Sequence, residues 1–297
     1  MREELKDLTT LGIGGDASEI VKVSCAGELI TELEKAKREK ILFIVVGGGS
    51  NTLFMDEGFN GRVIVNNKGN FGWEGNDLVV ESGANLGRII SELMRSGKGE
   101  FERMVGIPGT VGGALWNNAG AYGQSISDYL LKVEVWTSSS GIHFWDKNEM
   151  RFEYRKSRFY DEREGGIAIR AWFRDFKNES PEKLKEIAGE ILEKRNEKLP
   201  PPNWKTCGSL FRNLNYSSTP PERMHTGKLL EQIGAKKIRC GDAGMFEKHA
   251  NILINYGRAT SRDVLSLIDI LSNKVEKEFG AVIKPEIKIV PSNPSTA

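Results

Sequence analysis

The stretch GIPGTVGGALWNNAGAYG, residues 106–123, decides how the whole chain is interpreted. Six of its eighteen residues are glycine and none is charged, in a 297-residue chain of which 28% is charged. It matches neither GxGxxG nor GxxxxGKS/T, so neither a Rossmann motif nor ATP hydrolysis at a P-loop is predicted. Because glycine has no side chain, other groups can approach its backbone closely. The stretch therefore predicts a loop that some other group approaches along much of its length.

A second glycine-rich loop is predicted at residues 45–51, VVGGGSN, directly after an apolar run typical of a buried strand. Consecutive glycines let several backbone N–H groups converge on an anion such as a diphosphate, and Ser50 and Asn51 add short polar donors. Taken alone, this loop is equally compatible with an ordinary tight turn. Two such loops in one chain favour a large cofactor, such as a dinucleotide, held by backbone amides.

The composition excludes several classes of protein. Lys plus Arg number 42 and Asp plus Glu 41, so no net field attracts nucleic acid or an anionic membrane. The longest apolar runs are about six residues, against the roughly 20 that span a bilayer, and the charged N-terminus lacks a secretory signal. Three cysteines without a CxxC motif and three histidines without paired spacing argue against a metal site. We expect a cytoplasmic monomer without metal, nucleic-acid or membrane partners.

Hydrophobic spacing predicts a mixed α+β fold. The periodicity of apolar residues changes repeatedly between the helical and the strand pattern, and the proline run at residues 200–202 interrupts the chain like a linker or stiff turn. Pro285 suggests an edge or a bulge in the last strand. Helices are predicted over residues 26–40, 86–97, 181–198, 227–234 and 260–280, and strands over 41–46, 61–67, 77–83, 133–138, 166–176 and 281–290.

Motifs along the chain together resemble one family. Their order and rough spacing are similar to those of the UDP-N-acetylenolpyruvoylglucosamine reductases, the MurB enzymes of peptidoglycan synthesis, from about residue 7 to about residue 290. The combination is more specific than any single glycine motif. Besides the two glycine-rich loops, the motifs are IGGDA, YRKSRF, CGSLFRN, EKHANILIN and FGAVIKPEI.

The resemblance implies an FAD-binding fold of the vanillyl-alcohol oxidase (PCMH) type. Residues 1–66 and 67–178 would be its two FAD-binding lobes, and residues 179–297 a C-terminal α+β substrate-binding domain with a disordered tail. FAD is expected to be non-covalent, because neither loop contains His or Cys. No inserted tyrosine-bearing loop precedes residue 200, which indicates the shorter, type II branch. The implied cofactor-binding residues are Val46, Gly47, Gly48, Gly49, Ser50, Asn51, Gly106, Pro108, Gly109, Thr110, Gly112, Gly113, Asn117, Gly120 and Ala121.

The resemblance also implies a reaction. NADPH reduces FAD, hydride then passes to UDP-N-acetylglucosamine enolpyruvate, and a proton completes UDP-N-acetylmuramate. Arg155 and Glu286 match the residues that stabilise the enediolate, and Ser209 matches the proton donor. On local sequence alone, these three would be a surface arginine, an exposed strand glutamate and a turn serine. The family motifs favour the catalytic interpretation.

Weaker matches concern the substrate and the flavin ring. Trp116 and Tyr122 either flank the flavin or simply pack in the core. The basic candidates for the UDP-sugar are equally compatible with solvated surface lysines. The candidates for UDP-sugar binding are Tyr154, Asn213, Lys228, Lys248 and Asn251.

Two other functions remain open. A flavin oxidase of the same fold would use oxygen, but the missing covalent-attachment histidine and the CGSLFRN motif argue against it. A non-catalytic UDP-sugar binding protein would have no need of a proton donor, whereas Arg155, Ser209 and Glu286 are all present. A purified protein that is yellow, bleached by NADPH and restored by the enolpyruvyl sugar would distinguish the three.

Overall fold

A computed structural model of the chain describes residues 3–160, 165–215 and 223–293, which form two compact units. Unit A comprises residues 19–48, 61–160 and 165–195. Unit B comprises residues 3–18, 49–60, 196–215 and 223–293. The chain thus passes from unit A to unit B just before the predicted proline break. The domain boundaries at residues 66 and 178 stay predictions, and residues 294–297 of the predicted tail lie outside the described residues.

Unit A contains a five-stranded antiparallel sheet covered on one face by helix α2 (Leu86–Arg95). The helix begins where Asn85 Oδ1 accepts a hydrogen bond from Arg88 N at 2.9 Å. It buries Leu86, Ile89, Ile90 and Leu93 against the sheet, at the spacing of one helical face. In spatial order the strands are β10 (Gly141–Asp146), β9 (Leu130–Thr137), β11 (Ile167–Phe173), β6 (Asp77–Glu81) and β5 (Phe71–Glu74).

A three-stranded sheet leads into the first glycine-rich loop. Its order is β1 (Ala17–Val23), β4 (Phe59–Asn66) and β2 (Phe43–Val46), with β2 parallel to β4. Helix α1 (Ala26–Glu39) connects β1 to β2 and buries an apolar stripe. It ends at Lys40, whose φ of 53° is left-handed. The predicted strand and helix are confirmed, and the glycine run follows β2 directly.

A buried arginine joins these elements. Arg62 on β4 is only 2% exposed. Its Nε donates to a Glu19 carboxylate oxygen at 2.6 Å and its Nη2 to Glu39 at 2.9 Å, while Nη1 lies 3.5 Å from Glu32. The carboxylates come from β1 and α1, so one guanidinium ties three elements together.

Unit B is built around a four-stranded antiparallel sheet and the long helix α6 (Ser261–Phe279). Thr260 caps α6 in a reciprocal capping box with Asp263, and Gly280 ends it with a left-handed φ of 63°. The apolar face of α6, including Leu267 and Leu271, lies in the core of the unit. The strands are β12 (Lys205–Ser209), β17 (His249–Asn255), β16 (Ala243–Phe246) and β15 (Arg239–Cys240).

The remaining elements are short, apart from helix α4. Parallel strands β18 (Lys288–Val290) and β3 (Thr52–Phe54) pair residue by residue from Lys288 opposite Thr52. The other two pairs are antiparallel hairpins. These elements are α3 (Val111–Trp116), α4 (Pro181–Asn196), α5 (Thr226–Gln232), β3 (Thr52–Phe54), β7 (Gly120–Ala121), β8 (Gln124–Ser125), β13 (Leu214–Asn215), β14 (Arg223–Met224) and β18 (Lys288–Val290).

All five predicted helices are confirmed, but the predicted C-terminal strand over residues 281–290 is wrong over most of its length. Only Lys288–Val290 form a strand. Before it, Pro285 makes an isolated bridge with Phe211. Proline has no N–H to donate, so a regular ladder cannot run through this position. The alternating apolar pattern around Pro285 reflects burial of Ile283 and Ile287 rather than a continuous strand.

Candidate active site

The second glycine-rich stretch is only partly a loop. Val111–Trp116 form the one-and-a-half-turn helix α3, where Thr110 Oγ1 accepts a hydrogen bond from Gly113 N at 3.3 Å. Gly112 N donates to Ser82 O at 2.7 Å. The interpretation of residues 106–123 as one continuous loop is therefore wrong over α3. The helix escaped notice because its interior glycines disfavour helix formation in isolation.

The two glycine-rich stretches lie against each other within unit A. A Cβ atom at Gly48 would come within 2.9 Å of Gly109 Cα, and one at Gly47 within 2.3 Å of Thr110 Oγ1. Both distances are too short for a real side chain, so the opposite stretch requires glycine at these positions. The predicted cofactor positions 47, 48, 109 and 110 are consequently neighbours.

At two further predicted cofactor positions, the chain itself occupies the space beside the glycine. A Cβ at Gly120 would come within 2.3 Å of Gln124 O. Gly106 has a φ of 79°, and a Cβ there would lie 3.0 Å from Arg195 Nε. Arg195 Nη2 also donates to Gly106 O at 2.9 Å. Close packing of the chain therefore explains these glycines, and their contact with a cofactor stays a prediction.

The asparagines of the second stretch join it to the two residues that flank the YRKSRF motif. Asn117 Oδ1 accepts a hydrogen bond from Tyr160 OH at 2.9 Å, and Asn118 Nδ2 donates to Glu153 O at 2.9 Å. The rings of Trp116 and Tyr160 stack with centroids 3.8 Å apart. This stacking favours packing over the flavin-flanking position considered for Trp116, while Tyr160 escaped the sequence analysis because it belongs to no recognised motif.

Arg155, in the YRKSRF motif, also contacts the second glycine-rich stretch. Its Nη2 donates to Gly120 O at 2.7 Å and its Nη1 to Asn118 O at 3.4 Å. The guanidinium also lies over the ring of Tyr154, 5.2 Å from its centroid. The neighbouring Lys156 is exposed and pairs with a surface glutamate. Arg155 is thus held by backbone carbonyl groups whereas Lys156 faces solvent, and the catalytic role of Arg155 stays a prediction.

In unit B, Ser209 ends strand β12 just after a bulge. Gly208 has a φ of 74°, and the register with β17 shifts between Thr206 and Gly208. Thr206 Oγ1 stabilises the bulge, because it accepts from Gly208 N at 3.0 Å and donates to Leu253 O at 2.6 Å. Bulges re-aim side chains at the ends of strands. Ser209 directly follows this bulge, so a change in the bulge would re-aim its side chain.

The backbone of Glu286 lies next to the Ser209 segment. Glu286 N donates to Leu210 O at 2.8 Å. On its other side, Glu286 O accepts from Asn51 Nδ2 at 3.0 Å, and Lys288 N donates to Asn51 O at 2.9 Å. Unit B thus brings two predicted catalytic residues together with the end of the first glycine-rich loop.

Thr10 is a further contact that the sequence did not reveal. Thr10 N donates to Gly49 O at 3.1 Å. Its Oγ1 donates to Thr206 O at 2.6 Å, and its carbonyl accepts from Thr206 N at 3.1 Å. One threonine therefore ties the glycine loop to the strand that carries Ser209. A polar residue beside the IGGDA motif was the available signal.

The thiol of Cys207 is expected to be unreactive in the folded protein. Burial raises the pKa of Cys207 to about 12, and the nearby Glu286 carboxylate adds to the rise. Because the thiolate is the nucleophile, we expect iodoacetamide at pH 8 to leave Cys207 unlabelled in the native protein and to label it in urea. Peptide mass spectrometry measures both, with the partly exposed Cys25 as internal control. Native labelling of Cys207 at the rate of Cys25 would contradict the assignment.

The candidates for UDP-sugar binding occupy different environments. Asn213 Oδ1 accepts from Thr226 N at 3.1 Å and so fixes the start of α5. Lys228 on α5 and Lys248 between β16 and β17 are exposed. Asn251 is 4% exposed. The two lysines are accessible to an anion, whereas Asn251 is engaged within the protein.

Two classes of site receive no support from the described part of the chain. Among residues 3–160, 165–215 and 223–293, no group of His, Cys, Asp and Glu side chains could hold a metal ion. Over the same residues, no helix is long and apolar enough to cross a bilayer.

Comparison with known proteins decides the family. A family model described as "FAD binding domain" matches residues 17–145, and one for the C-terminal domain of UDP-N-acetylenolpyruvoylglucosamine reductase matches residues 200–290. The reductase of that name from Caldanaerobacter subterraneus is 36% identical over 291 residues, covering 98% of this chain and 93% of the relative. The chain belongs to the UDP-N-acetylenolpyruvoylglucosamine reductase family.

Other reductases of this family support the assignment. The relative from Caldicellulosiruptor bescii is 38% identical and covers 96% of this chain and 88% of its own length. The crystal structure of the Thermus caldophilus reductase aligns with a TM-score of 0.77 at 31% identity, covering 98% of each chain. The resemblance and the predicted α+β FAD-binding fold are confirmed. The chain is an FAD-dependent oxidoreductase.

The residues present fit FAD. A diphosphate takes backbone N–H donors, and the apposed stretches around Gly48 and Gly109 keep both backbones free of side chains. The remaining predicted cofactor positions border them: Val46 ends β2, Ser50 and Asn51 continue the first loop, Pro108 precedes α3 and Ala121 lies in β7.

Proposed function

We propose that the chain reduces UDP-N-acetylglucosamine enolpyruvate to UDP-N-acetylmuramate, with NADPH as reductant and FAD bound non-covalently. Membership of the reductase family supports the reaction, which belongs to peptidoglycan precursor synthesis. The observation that carries the catalytic assignment is the 2.8 Å hydrogen bond from Glu286 N to Leu210 O, which places the Glu286 segment beside Ser209.

Backbone groups of the two glycine-rich stretches would hold the diphosphate of FAD, and bound FAD would supply the hydride chemistry. The chain must then stabilise negative charge on the substrate carboxylate and place a proton on the adjacent carbon. Ser209 is the proposed proton donor, since a serine hydroxyl suffices against a strongly basic enediolate carbon. Arg155, whose guanidinium keeps its charge, and Glu286 are the proposed stabilising residues.

Tyr154, Asn213, Lys228 and Lys248 are the proposed contacts of the UDP-sugar. The exposed ammonium groups of Lys228 and Lys248 suit its diphosphate, because each presents three donors and a positive charge. We further propose that the chain is a monomer and that it works in the cytoplasm, which a nucleotide-linked substrate favours.

An anaerobic spectral experiment tests the proposal. Purified protein is mixed with NADPH and then with UDP-N-acetylglucosamine enolpyruvate, while visible absorbance is recorded. We expect a flavin spectrum that bleaches and then returns on addition of the sugar. Return only with oxygen would indicate a flavin oxidase. A protein that binds the sugar but takes up no flavin would indicate a UDP-sugar binding protein.

We predict that Gly48→Ala weakens FAD binding. The new methyl group would meet Gly109 Cα at 2.9 Å, and two backbones cannot yield as a flexible side chain can. Overpacking costs about 1–3 kcal/mol, which corresponds to about 5- to 150-fold in affinity if the stretches must stay apposed. Titration of apoprotein with FAD, followed by flavin fluorescence, measures the change.

Gly72→Ala is the matched control. Gly72 also lies in unit A, on β5, and a Cβ there has no neighbouring atom within 4 Å. The Gly72→Ala protein should bind FAD with an affinity within twofold of that of the unsubstituted protein. If Gly48→Ala also binds FAD as tightly as the control, the apposed stretches do not form the diphosphate site.

A further inference from the structure

The side chain of Asn251 acts as a piece of β-strand backbone. Its Nδ2 donates to Phe211 O at 2.8 Å, and its Oδ1 accepts from Phe211 N at 3.0 Å. A carboxamide offers the same donor and acceptor as a peptide unit. Pairing with both backbone groups of one residue therefore imitates the next rung of a ladder.

The position of this rung explains why it is needed. Strands β12 and β17 pair as far as Ser209 opposite Ile252, and Leu210 N then donates to Asn251 O at 2.8 Å. Beyond this point, the side chain of Asn251 pairs with Phe211. The strand that carries Ser209 is thereby held for two residues past the serine.

The opposite edge of the same segment is held by the Glu286 segment. Leu210 O accepts from Glu286 N at 2.8 Å, and Arg212 N donates to Lys284 O at 3.0 Å. Within a trans peptide, the C=O and the following N–H point in opposite directions. Phe211, which is 1% exposed, must therefore find its partners on the other side, where Asn251 supplies them.

The Asn251 amide is itself held in place. Asn251 N donates to His249 Nδ1 at 3.2 Å. Burial lowers the pKa of His249, and nearby Lys198 and Lys236 also lower it, which favours the neutral imidazole whose Nδ1 can accept. The donor Nδ2 and the acceptor Oδ1 of Asn251 are thus fixed by Phe211, and the backbone by His249 and Leu210.

We propose that Asn251 is a positioning residue that clamps the Ser209–Phe211 segment against the Glu286 segment, and not a contact of the UDP-sugar. The inference rests on the proposed roles of Ser209 and Glu286. It follows that loss of the clamp slows proton delivery to the substrate without weakening the binding of the UDP-sugar.

Asn251→Asp and Asn251→Leu test the proposal, with Asn255→Asp as matched control. Both substitutions at position 251 keep the size of the side chain but remove the donor to Phe211 O. Asn255 lies on the same strand, is 5% exposed and donates to Leu11 O at 3.0 Å, away from the Ser209 segment. Hydrogen exchange of the Leu210 and Phe211 amides reports on the clamp without any cofactor or substrate.

We expect faster amide exchange at Leu210 and Phe211 in both Asn251 variants and not in Asn255→Asp. Flavin bleaching by NADPH should stay within twofold. Flavin return on addition of the enolpyruvyl sugar should slow by about 10- to 100-fold, the range for misplaced catalytic groups, with a larger solvent isotope effect. The dissociation constant of UDP-N-acetylglucosamine, measured by calorimetry, should change less than twofold.

Other outcomes would overturn either the proposed role of Asn251 or the proposed function. A tenfold loss of UDP-N-acetylglucosamine affinity with unchanged exchange would make Asn251 a sugar contact. Unchanged exchange and unchanged rates would show that no clamp exists. If the unsubstituted enzyme fails to return the flavin spectrum with the sugar, the proposed function is wrong, while the exchange data still decide whether Asn251 holds the segment. Should neither variant fold, Asn251→Ser, which keeps a small polar group, replaces them.

Discussion

Ser209→Ala should slow the return of the flavin spectrum on addition of the enolpyruvyl sugar by about 10²- to 10⁴-fold, the usual contribution of a placed general acid. Bleaching by NADPH should be unchanged, because that half-reaction needs no proton from Ser209. The bulge at Gly208 and the hydrogen bond between Leu210 and Glu286 depend on backbone groups, so the local structure should persist. Anaerobic stopped-flow absorbance resolves the two half-reactions.

Two controls make the result specific. Ser209→Cys keeps an acidic proton at the same position and should retain more of the second half-reaction than the alanine variant. Ser139→Ala removes an exposed hydroxyl in the β9–β10 hairpin and should change neither half-reaction. If the Ser209→Ala enzyme completes the second half-reaction within twofold of the normal rate, Ser209 is not the proton donor and another group supplies the proton.

Arg62→Met should destabilise the protein by about 3 kcal/mol, near the low end of the cost of removing one partner from a buried ion pair. The methionine fills most of the volume but leaves Glu19, Glu32 and Glu39 without their common cation. The low end applies because Glu19 and Glu39 retain about two-fifths of their side-chain surface in solvent, 43% and 36%, and can be hydrated. Urea denaturation followed by tryptophan fluorescence measures the free energy of unfolding.

Arg174→Met provides the matched comparison. Arg174 also makes a two-pronged ion pair, with Asp77, but its side chain is 49% exposed. Because water competes for the exposed guanidinium of Arg174, Arg174→Met should destabilise the protein much less than Arg62→Met does. Equal destabilisation by the two substitutions would show that burial of Arg62 does not increase its contribution to the free energy of unfolding.

Some elements could be predicted from sequence because a local cause determines them. Helices α2 and α6 have apolar residues at helical spacing and recognisable caps at Asn85 and Thr260, so neighbouring residues suffice. The prediction of a C-terminal strand over residues 281–290 was wrong because the apolar alternation there arises from tertiary packing. Burial of Ile283 and Ile287 imitates a strand where Pro285 prevents a ladder.

The proposed site residues could be inferred only through motifs. The different environments of Arg155 and Lys156 depend on carbonyl groups at residues 118 and 120, which no local pattern connects to Arg155. The clamp formed by Asn251 requires knowledge of which strands pair. Glycine positions in both stretches were recognised, but the sequence could not show that much of the close approach comes from the chain itself, as between Gly48 and Gly109.

The division of the chain between the two units has a consequence for biosynthesis. Unit B draws residues 3–18 and 49–60 from the beginning of the chain and residues 196–215 and 223–293 from its end, so its sheet and core are of high contact order. During translation, the early segments leave the ribosome long before β12 and α6 exist to cover them. Most of unit A lies in the runs 61–160 and 165–195, so it can form before the last part of unit B is made. A chain truncated before residue 205 would keep these runs but lack Thr206, the partner of Thr10.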